Sequence, residues 1–392
     1  MPQEQSECED RQQQQILVGE HHEAIGEDSV KSVQSPEAYL VTQSRLLGIV
    51  GDLLARSGSE PNEADIVARH LVDADLVGYH SHGVRLLPVY MRTLEAGWLK
   101  PNATLTLVSD EGSLLAFDGG LGYGRRVVGE ALDEAVSRCR SLGISIFSVA
   151  NAHHIGRAGA YGEIAAEAGL ISICFCNSVG HEPLVAAFGG RNARFSTNPM
   201  CFAIPTPCEN GYFLLDIASS RTSYFKTLDL AAQGKAAPEG MLLDAQGRPS
   251  TDPHVLMRQP RGALLPFGDH KGYGLAVFSE LLAIALSGGR SICTHPARDV
   301  SITNIVGILI DPSRFPGSER YTEEARAFLD YIRASTPTDD DRPVVIPGER
   351  LRAARRRGLR DGISLAKHTI DALIHEGSRF GLDLSIDDFH DR

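Results

Sequence analysis

The spacing of hydrophobic residues changes along this chain of 392 residues. Between about residues 37 and 96 they recur at intervals of three and four, as in Leu46, Val50, Leu53 and Leu54, which predicts amphipathic helices. A polar break at 59–62 separates the first helix from a second over about 64–77, and a third helix follows over about 86–96. This part of the chain is therefore expected to be helical.

Beyond about residue 103, short apolar segments alternate with helical ones. Strands are predicted over about 104–108, 113–118, 144–149, 171–176, 200–205, 213–217 and 304–310. Helices are predicted over about 127–142, 160–168 and 275–286, and a charged, mostly helical segment begins near residue 322. Because such alternation is typical of α/β domains, we predict a helical N-terminal part at 37–112, a mixed α/β domain at 113–310 and a helical C-terminal part at 311–392.

Composition and charge argue against several classes of protein. Residues 1–36 are rich in Gln, Glu and Ser, lack the apolar core of a signal peptide and are predicted to form a disordered extension. The net charge is -12 and no long basic run occurs, so no nucleic-acid partner is expected. The chain has no run of about 18 apolar residues, so no membrane span is expected. The odd number of cysteines, with no C-x-x-C pair, predicts free thiols in a reducing compartment, the cytoplasm.

A strand, three glycines and a helix over 114–142 resemble the start of a dinucleotide-binding unit, but the glycine spacing is wrong. Gly120-x-Gly122-x-Gly124 lacks the G-x-G-x-x-G pattern that lets a backbone approach a pyrophosphate. Bulky residues crowd the same turn, and no acidic residue closes the next strand. We interpret this segment as a tight turn of ordinary α/β packing.

Two polar breaks each carry a pair of histidines. His80 and His82 lie in the break at 78–83, and His153 and His154 lie in the break at 151–156. Histidine suits proton transfer because its ordinary pKa, about 6.5, is close to neutral pH. The same residues raise the hypothesis of a metal site, but there is no H-E-x-x-H pattern. We therefore favour acid–base chemistry and expect no metal.

Seven short motifs, in order over about 40–365, are similar to those of the type-2 malate/L-lactate dehydrogenase family. Segment 78–85, Gly-Tyr-His-Ser-His-Gly-Val-Arg, resembles its Asp-Ser-His-Gly signature, and segment 151–156, Asn-Ala-His-His-Ile-Gly, resembles its Asn-Ser-x-His-Phe-Gly motif. The other matches are Gly-Gly at 189–190 with Thr-Asn-Pro at 197–199, Asp-Ile-Ala-Ser-Ser at 216–220 with Lys226, Pro-Glu-Gly at 238–240, Thr-Asp-Pro at 251–253, and His-Lys-Gly-Tyr-Gly-Leu at 270–275. The chain departs from the family at His80, Ala152, Ser196 and the bulkier segment 221–225.

The resemblance implies an NAD- or NADP-dependent oxidoreductase that interconverts a small 2-oxo acid and the 2-hydroxy acid. The family also contains sulfolactate and ureidoglycolate dehydrogenases, diketogulonate reductase and cyclic-imine reductases. It further implies a homodimer and a fold in which the helical N- and C-terminal parts pack together. In this fold a mixed α/β sheet binds NAD(P) without a Rossmann motif.

Matching positions imply roles for individual residues near the substrate. His82 is expected to supply the proton, with Ser81 orienting its ring or binding substrate. His154 is expected to polarise the same oxygen or bind a carboxylate; the family uses either histidine as donor, so both assignments stay open. Arg85, one helical turn after His82, is expected to clamp the substrate carboxylate. Asn198 is expected to bind substrate or the cofactor amide.

The resemblance also implies a set of residues around the cofactor: Ser178, Asp216, Ala218, Ser219, Lys226, His270, Lys271 and Gly272. A carboxylate at Asp216 suits ribose hydroxyls, and the lysine at 226 suits a pyrophosphate. Lys271 and Gly272 open a helix, whose N-terminus favours anions. Arg221 is a candidate for the 2′-phosphate of NADP, and both NADH and NADPH stay open.

Other hypotheses remain beside the main one. The same motifs fit an NADPH-dependent reductase of a cyclic imine such as piperideine- or pyrroline-2-carboxylate. The departures at His80 and 221–225 fit a catalytically retired relative that binds a metabolite without turnover. A histidine-ligated metal hydrolase or lyase ranks below the dehydrogenase.

Overall fold

The computed structural model describes residues 38–207, 211–295, 297–339 and 342–390. Its helices are α1 (Gln43–Arg56), α2 (Pro61–Leu76), α3 (Leu87–Glu95), α4 (Gly124–Leu142), α5 (Ala158–Glu167), α6 (Tyr224–Ala232), α7 (His270–Ser287), α8 (Ser318–Arg333), α9 (Glu349–Asp361) and α10 (Lys367–Arg379). Most predicted helices are present, and their observed ends differ from the predicted ones by a few residues. The extension predicted at 1–36 lies outside the described residues.

The strands, in chain order, are β1 (Ala38–Val41), β2 (Thr106–Glu111), β3 (Leu114–Asp118), β4 (Ile144–His153), β5 (Ile171–Val179), β6 (Val185–Ala186), β7 (Ala193–Phe195), β8 (Met200–Pro205), β9 (Tyr212–Ile217), β10 (Leu242–Leu243), β11 (Pro249–Ser250), β12 (Ala263–Leu264), β13 (Ile302–Ile310) and β14 (Ile363–Ala366). Seven of them form the main sheet, in the order β2-β3-β4-β13-β5-β8-β9. The strand β3 runs parallel to β4, whereas β13 is antiparallel to both β4 and β5. The fold is therefore mixed α/β, as predicted.

Helices cover both faces of the main sheet. Residues of α4 and α5 share a core with Phe147 of β4 and with Cys174 and Cys176 of β5. The two cysteines alternate onto one face of the strand. Helix α7 packs on the opposite face, where Ser148 donates a hydrogen bond to the carbonyl of Leu286 at 2.8 Å. The central strands are thus buried on both sides, which explains their nearly continuous apolar sequences.

A second core combines both ends of the chain. It includes Leu53 and Leu71 from the first two helices and Ile370 and Leu373 from α10. The strand β1, which the sequence analysis missed, pairs antiparallel with β14 at the same place. This shared core is consistent with the prediction that the terminal parts pack together, although the domain boundaries at 112/113 and 310/311 remain a prediction.

Truncation of Leu373 tests this shared core. Its side chain is fully buried, so Leu373→Ala is expected to lower the free energy of unfolding by about 2–5 kcal/mol through lost contacts and a cavity. Leu359 on α9 is 56% exposed, and Leu359→Ala is the matched control with an expected change below about 0.5 kcal/mol. Denaturant unfolding followed by circular dichroism measures both variants. Equal losses of unfolding free energy in the two variants would contradict the role of Leu373 in this core.

Candidate active site

The two histidine breaks meet where β4 ends. His82 closes a short 3-10 turn between α2 and α3, and His154 directly follows β4. Their rings stack with centroids 5.4 Å apart and planes inclined by 10°. Both side chains are half-buried. The structure therefore brings together two residues that lie 72 positions apart and were singled out by separate motifs.

Both rings are held neutral. Burial lowers the pKa of His82 to about 3, and the positive charges of Arg125 and Arg157 act in the same direction. Burial also lowers the pKa of His154 well below its usual value, and His82 and Arg125 add to this effect. A neutral imidazole has one N–H donor and one acceptor nitrogen. The free protein therefore presents two uncharged rings at neutral pH.

A buried series of hydrogen bonds links Arg125 to His154 through Tyr90. Arg125 at the start of α4 donates from Nε to the hydroxyl of Tyr90 at 3.0 Å, and that hydroxyl lies 2.8 Å from Nδ1 of His154. Arg125 and Tyr90 are each 1% exposed. Arg125 Nη2 also donates to the carbonyl of His82 at 2.6 Å. The guanidinium of Arg125 thus hydrogen-bonds both to the backbone of His82 and to Tyr90, the partner of His154.

The ring of His82 has no comparable partner. Its Nδ1 is buried and has no hydrogen-bond partner within the described part of the chain. Ser81, half-buried, lies beside it in the same turn. The neighbouring His153 is 1% exposed and contacts Thr93 Oγ1 through Nε2 at 3.1 Å. His153 is therefore packed inside the protein, and its Nδ1 also has no partner among the described residues, whereas the ring of His82 is partly exposed.

Asp75 of α2 fixes the turn that carries His82. Its carboxylate accepts hydrogen bonds from the backbone N–H of Val84 at 2.7 Å and from Nδ1 of His80 at 2.8 Å. The second contact raises the pKa of His80. A Cβ atom at Gly83 would lie 2.1 Å from the same carboxylate. Only glycine fits between Asp75 and the turn.

Arg85 projects from the same turn toward α6. Its Nη1 lies 3.1 Å from both carboxylate oxygens of Asp229, and its guanidinium stacks over Phe225 at 4.8 Å from the ring centroid. The Nε and Nη2 groups have no acceptor among the residues that the structure describes. The guanidinium is therefore held in place while its Nε and Nη2 groups remain available to another acceptor.

The segments that lead into α6 and α7 lie side by side. The carbonyl of Ser219 accepts a hydrogen bond from the N–H of Phe267, and the N–H of Arg221 donates to Leu265. Arg221 also forms an ion pair of 2.7 Å with Asp269, just before α7. The starts of the two helices are thus neighbours, which brings their N-terminal dipoles to one region of the surface.

Exposed basic residues lie at these helix starts. Lys226 is the third residue of α6, and His270 and Lys271 are the first two residues of α7; all three side chains are exposed. Gly272 is buried, and a Cβ there would lie 2.2 Å from the carbonyl of Phe267. Ala218 is partly exposed just after β9. These residues form one basic surface at two helix N-termini, a donor set whose chemistry fits a pyrophosphate.

Other predicted contacts lie inside the protein. Asn198 is fully buried and donates to Glu280 Oε2 at 2.9 Å and to the carbonyl of Ala276 at 3.2 Å. Ser219 is also fully buried, and its hydroxyl donates to the carbonyl of Thr197 at 2.8 Å. The Thr-Asn-Pro turn is therefore packed under α7. Neither side chain is brought to the histidine pair.

Asp216 belongs to an internal ion network. Its carboxylate lies 3.9 Å from Arg157, which also pairs with Glu163 and Asp73. Arg355 of α9 pairs with the same two acids. The side chain of Asp216 is 8% exposed, and burial raises its pKa. This carboxylate joins β9 to α2, α5 and α9 and does not face the exposed surface at Lys226 and Lys271.

Ser178 lies in a small polar cluster near the histidines. Its hydroxyl lies 2.9 Å from Ser301 Oγ and 3.3 Å from His181 Nε2. A positive charge on His181 would lower the pKa of His154 further, so the cluster lies within electrostatic reach of the pair. His181 itself is held neutral chiefly by burial, which lowers its pKa. Sequence analysis did not single out His181.

Tyr90 and Arg125 were also missed. Tyr90 lies in a predicted helix outside the motifs, and Arg125 is one of the bulky residues that crowd the glycine turn. Gly124 packs against the backbone instead, since its Cβ would lie 2.1 Å from the carbonyl of His153. A charged residue directly after such a glycine turn, in the buried first turn of the helix, is the one signal that pointed to Arg125.

The described residues contain no group of three or more His, Cys, Asp or Glu side chains arranged to hold a metal ion. Within the same residues, no helix combines the length and apolar character needed to cross a membrane.

Known proteins share this sequence and fold. A family model described as malate/L-lactate dehydrogenase matches residues 41–374. The L-lactate dehydrogenase of Cupriavidus necator is 40% identical over 315 residues, which cover 80% of this chain and 90% of that protein. Hydroxycarboxylate dehydrogenase B of Escherichia coli K12 is 37% identical over 330 residues, covering 83% of this chain and 90% of that protein.

A solved structure extends the likeness to the fold. Δ1-piperideine-2-carboxylate reductase from Pseudomonas syringae pv. tomato has a TM-score of 0.76 and 27% identity, and the match covers 86% of this chain and 99% of that one. The relatives are dehydrogenases and reductases, which implies a nicotinamide cofactor. This chain therefore belongs to the malate/L-lactate dehydrogenase family and is an oxidoreductase.

Proposed function

We propose that this chain transfers a hydride between a nicotinamide cofactor and C2 of a small 2-oxo or 2-hydroxy acid, at the pair of His82 and His154. The observation that carries the proposal is the charge at this site. Both rings are neutral, whereas Arg125 beside them is 1% exposed and has no carboxylate partner among the described residues. Since a buried charge is costly without a counter-charge, the site favours an anionic substrate.

The two histidines divide the chemistry at the reacting oxygen. When bound, the cofactor supplies or accepts the hydride. In reduction His82 gives a proton to the oxygen on C2, and in oxidation it takes the proton back. Its freedom from protein hydrogen bonds permits this change of protonation. His154 donates a hydrogen bond to the same oxygen and stabilises the negative charge that develops there.

Arg85 holds the substrate carboxylate. Asp229 and Phe225 fix its guanidinium, and the unused Nε and Nη2 groups offer two parallel donors to a carboxylate. Ser81 lies in the same turn and hydrogen-bonds the substrate. An anionic substrate near the rings also raises the pKa of His82 in the complex, which prepares it to act as a proton donor.

The cofactor lies outside any Rossmann motif, on the basic surface at the starts of α6 and α7. Lys226 and Lys271 have no carboxylate partner among the described residues and would hold the pyrophosphate. Ala218, His270 and Gly272 line the same surface, and Ser178 lies toward the histidines. Arg221, the candidate partner of the NADP 2′-phosphate, already forms an ion pair with Asp269. Its charge therefore does not decide between NADH and NADPH, and both are to be compared.

A cyclic-imine reductase is the second candidate. The observation that favours it is the shared fold with Δ1-piperideine-2-carboxylate reductase. An imine of this kind also carries a carboxylate beside the reducible carbon, so Arg85 and the neutral histidines would serve it in the same way. The two candidates differ in the bond that is reduced, C=O or C=N.

We also propose a homodimer in the cytoplasm. One side of α7 exposes Phe278 (49%), Leu281 (61%) and Leu286 (43%), and contiguous apolar surface of this kind marks protein–protein contacts. The location is supported by the free buried thiols, Cys139 and Cys201 among them, which suit a reducing compartment.

Turnover and its dependence on His82 test the main proposal. Consumption of NADH or NADPH is to be followed against a panel of 2-oxo acids and cyclic imines. For the best substrate, His82→Ala is expected to lower kcat by about 10²–10⁴-fold, because proton transfer is lost. His375→Gln, an exposed histidine on α10, is the control. Near-full turnover in His82→Ala would refute the assigned role, and saturable quenching of cofactor fluorescence without turnover would favour a retired relative.

Substitution of the two lysines tests the cofactor surface. Lys226→Ala and Lys271→Ala are each expected to raise the Kd of NADH or NADPH about tenfold, since each removes a charge-assisted hydrogen bond to phosphate. Fluorescence titration at two salt concentrations measures this. Lys235→Ala, exposed just beyond α6, is the control. An unchanged Kd in both lysine variants would exclude this surface.

A charge on α7 tests the dimer. Leu281→Glu is expected to convert the dimer to a monomer, because burying an unpaired carboxylate in an interface is unfavourable. Light scattering after size-exclusion chromatography measures the mass. Leu359→Glu places the same charge at an exposed leucine elsewhere. A wild-type monomer, or a Leu281→Glu dimer, would contradict the proposed interface.

A further inference from the structure

We propose that Tyr90 and Arg125 are positioning residues that hold His154 as the neutral tautomer with its proton on Nε2. In this tautomer His154 is a fixed hydrogen-bond donor to the reacting oxygen, and His82 alone exchanges a proton. The inference deepens the proposed function and rests on it for the identity of the oxygen. The tautomer itself is a property of the protein without substrate.

The direction of the hydrogen bond between Tyr90 and His154 follows from a count of donors. The guanidinium of Arg125 has only donors, so the contact of 3.0 Å from its Nε makes the Tyr90 oxygen an acceptor. The hydroxyl keeps one proton to give. Tyr90 is 1% exposed, and the remaining hydrogen-bond partner of its hydroxyl in the described structure is His154 Nδ1 at 2.8 Å. Tyr90 therefore donates to Nδ1.

When Nδ1 accepts this hydrogen bond, the position of the imidazole proton is determined. The proton of a neutral imidazole must then be on Nε2. A proton on Nδ1 would make the Tyr90 oxygen accept two hydrogen bonds and leave its buried O–H without an acceptor among the described residues. Positive charge is further disfavoured by the groups that face His154, which are Arg125 of α4, His153 of β4, His82 of the 3-10 turn and His181 beyond β5. His154 is thus restricted to one protonation state.

The fold reserves space for this arrangement. Gly156 has φ +79°, and a Cβ there would lie 2.5 Å from Nη1 of Arg125. The same guanidinium donates from Nη2 to the carbonyl of His82. Arg125 therefore sets the backbone of one histidine and, through Tyr90, the tautomer of the other. The ring of His82 receives no such bond, which separates the two roles.

The test is Tyr90→Phe in the full chain, with histidine labelled by 15N. Long-range 1H–15N spectra assign the tautomer of each ring. In the wild type, His154 is expected to show a protonated Nε2 and an unprotonated Nδ1 throughout pH 6–9. Tyr90→Phe is expected to give a mixture of both tautomers. It is also expected to lower kcat about tenfold, as for the loss of one hydrogen bond, with the Kd of the cofactor unchanged.

Thr93→Val is the matched control, since it removes a hydroxyl from the same helix and from a histidine, His153. It is expected to leave the spectrum of His154 and kcat unchanged. Arg125→Gln provides a second variant if Tyr90→Phe does not fold, and it too is expected to mix the tautomers. An unchanged Nε2–H signal in the variant that folds would overturn the inference. Because the spectra need no turnover, this outcome is distinct from failure of the proposed function.

Discussion

The buried guanidinium of Arg125 is the interaction on which the site depends. It lies where three segments converge, the turn after α2, the helix α3 and the start of α4, and it hydrogen-bonds to the first two. Removing a charge from water is costly unless it is paired or hydrogen-bonded. The glycines at 124 and 156 provide the close approach that these bonds require. Because no carboxylate among the described residues pairs with this guanidinium, the proposed anionic substrate would supply its counter-charge.

The same positive charge acts together with burial to keep the two histidines neutral. Burial alone lowers their pKa, and Arg125 adds to the effect. In the proposed complex, a substrate carboxylate next to His82 would oppose this lowering of its pKa, because a negative charge favours the charged form of the ring. The proposed hydrogen bond from Tyr90 to Nδ1 would keep His154 from responding in the same way. Under the proposed function, substrate binding would therefore change the protonation of His82 and leave His154 neutral.

Sequence periodicity was sufficient for most helices and for the central strands, because burial of one face dictates their spacing. It missed β1, which has four residues and is defined by its pairing with β14 more than 300 positions away. The motifs identified His82 and His154, but not the contacts around them. Polar residues such as Asn198 and Asp216 also belong to motifs, yet their partners, Glu280 and Arg157, come from distant segments. Residue type indicates what a side chain can bind, and only tertiary packing determines what it does bind.

The departure from the family pattern at His80 is a second case in which residue type alone is a poor guide to the role of a side chain. Where the family usually has an acid, the chain has a histidine, and that difference motivated the hypothesis of a retired relative. In the structure Asp75 accepts a hydrogen bond from this histidine and also holds the backbone of Val84. The turn that presents His82 is thus anchored by a carboxylate from α2, and the half-buried ring of His82 still stacks on His154. Because the substitution leaves the geometry of the pair intact, it gives no structural reason for lost activity.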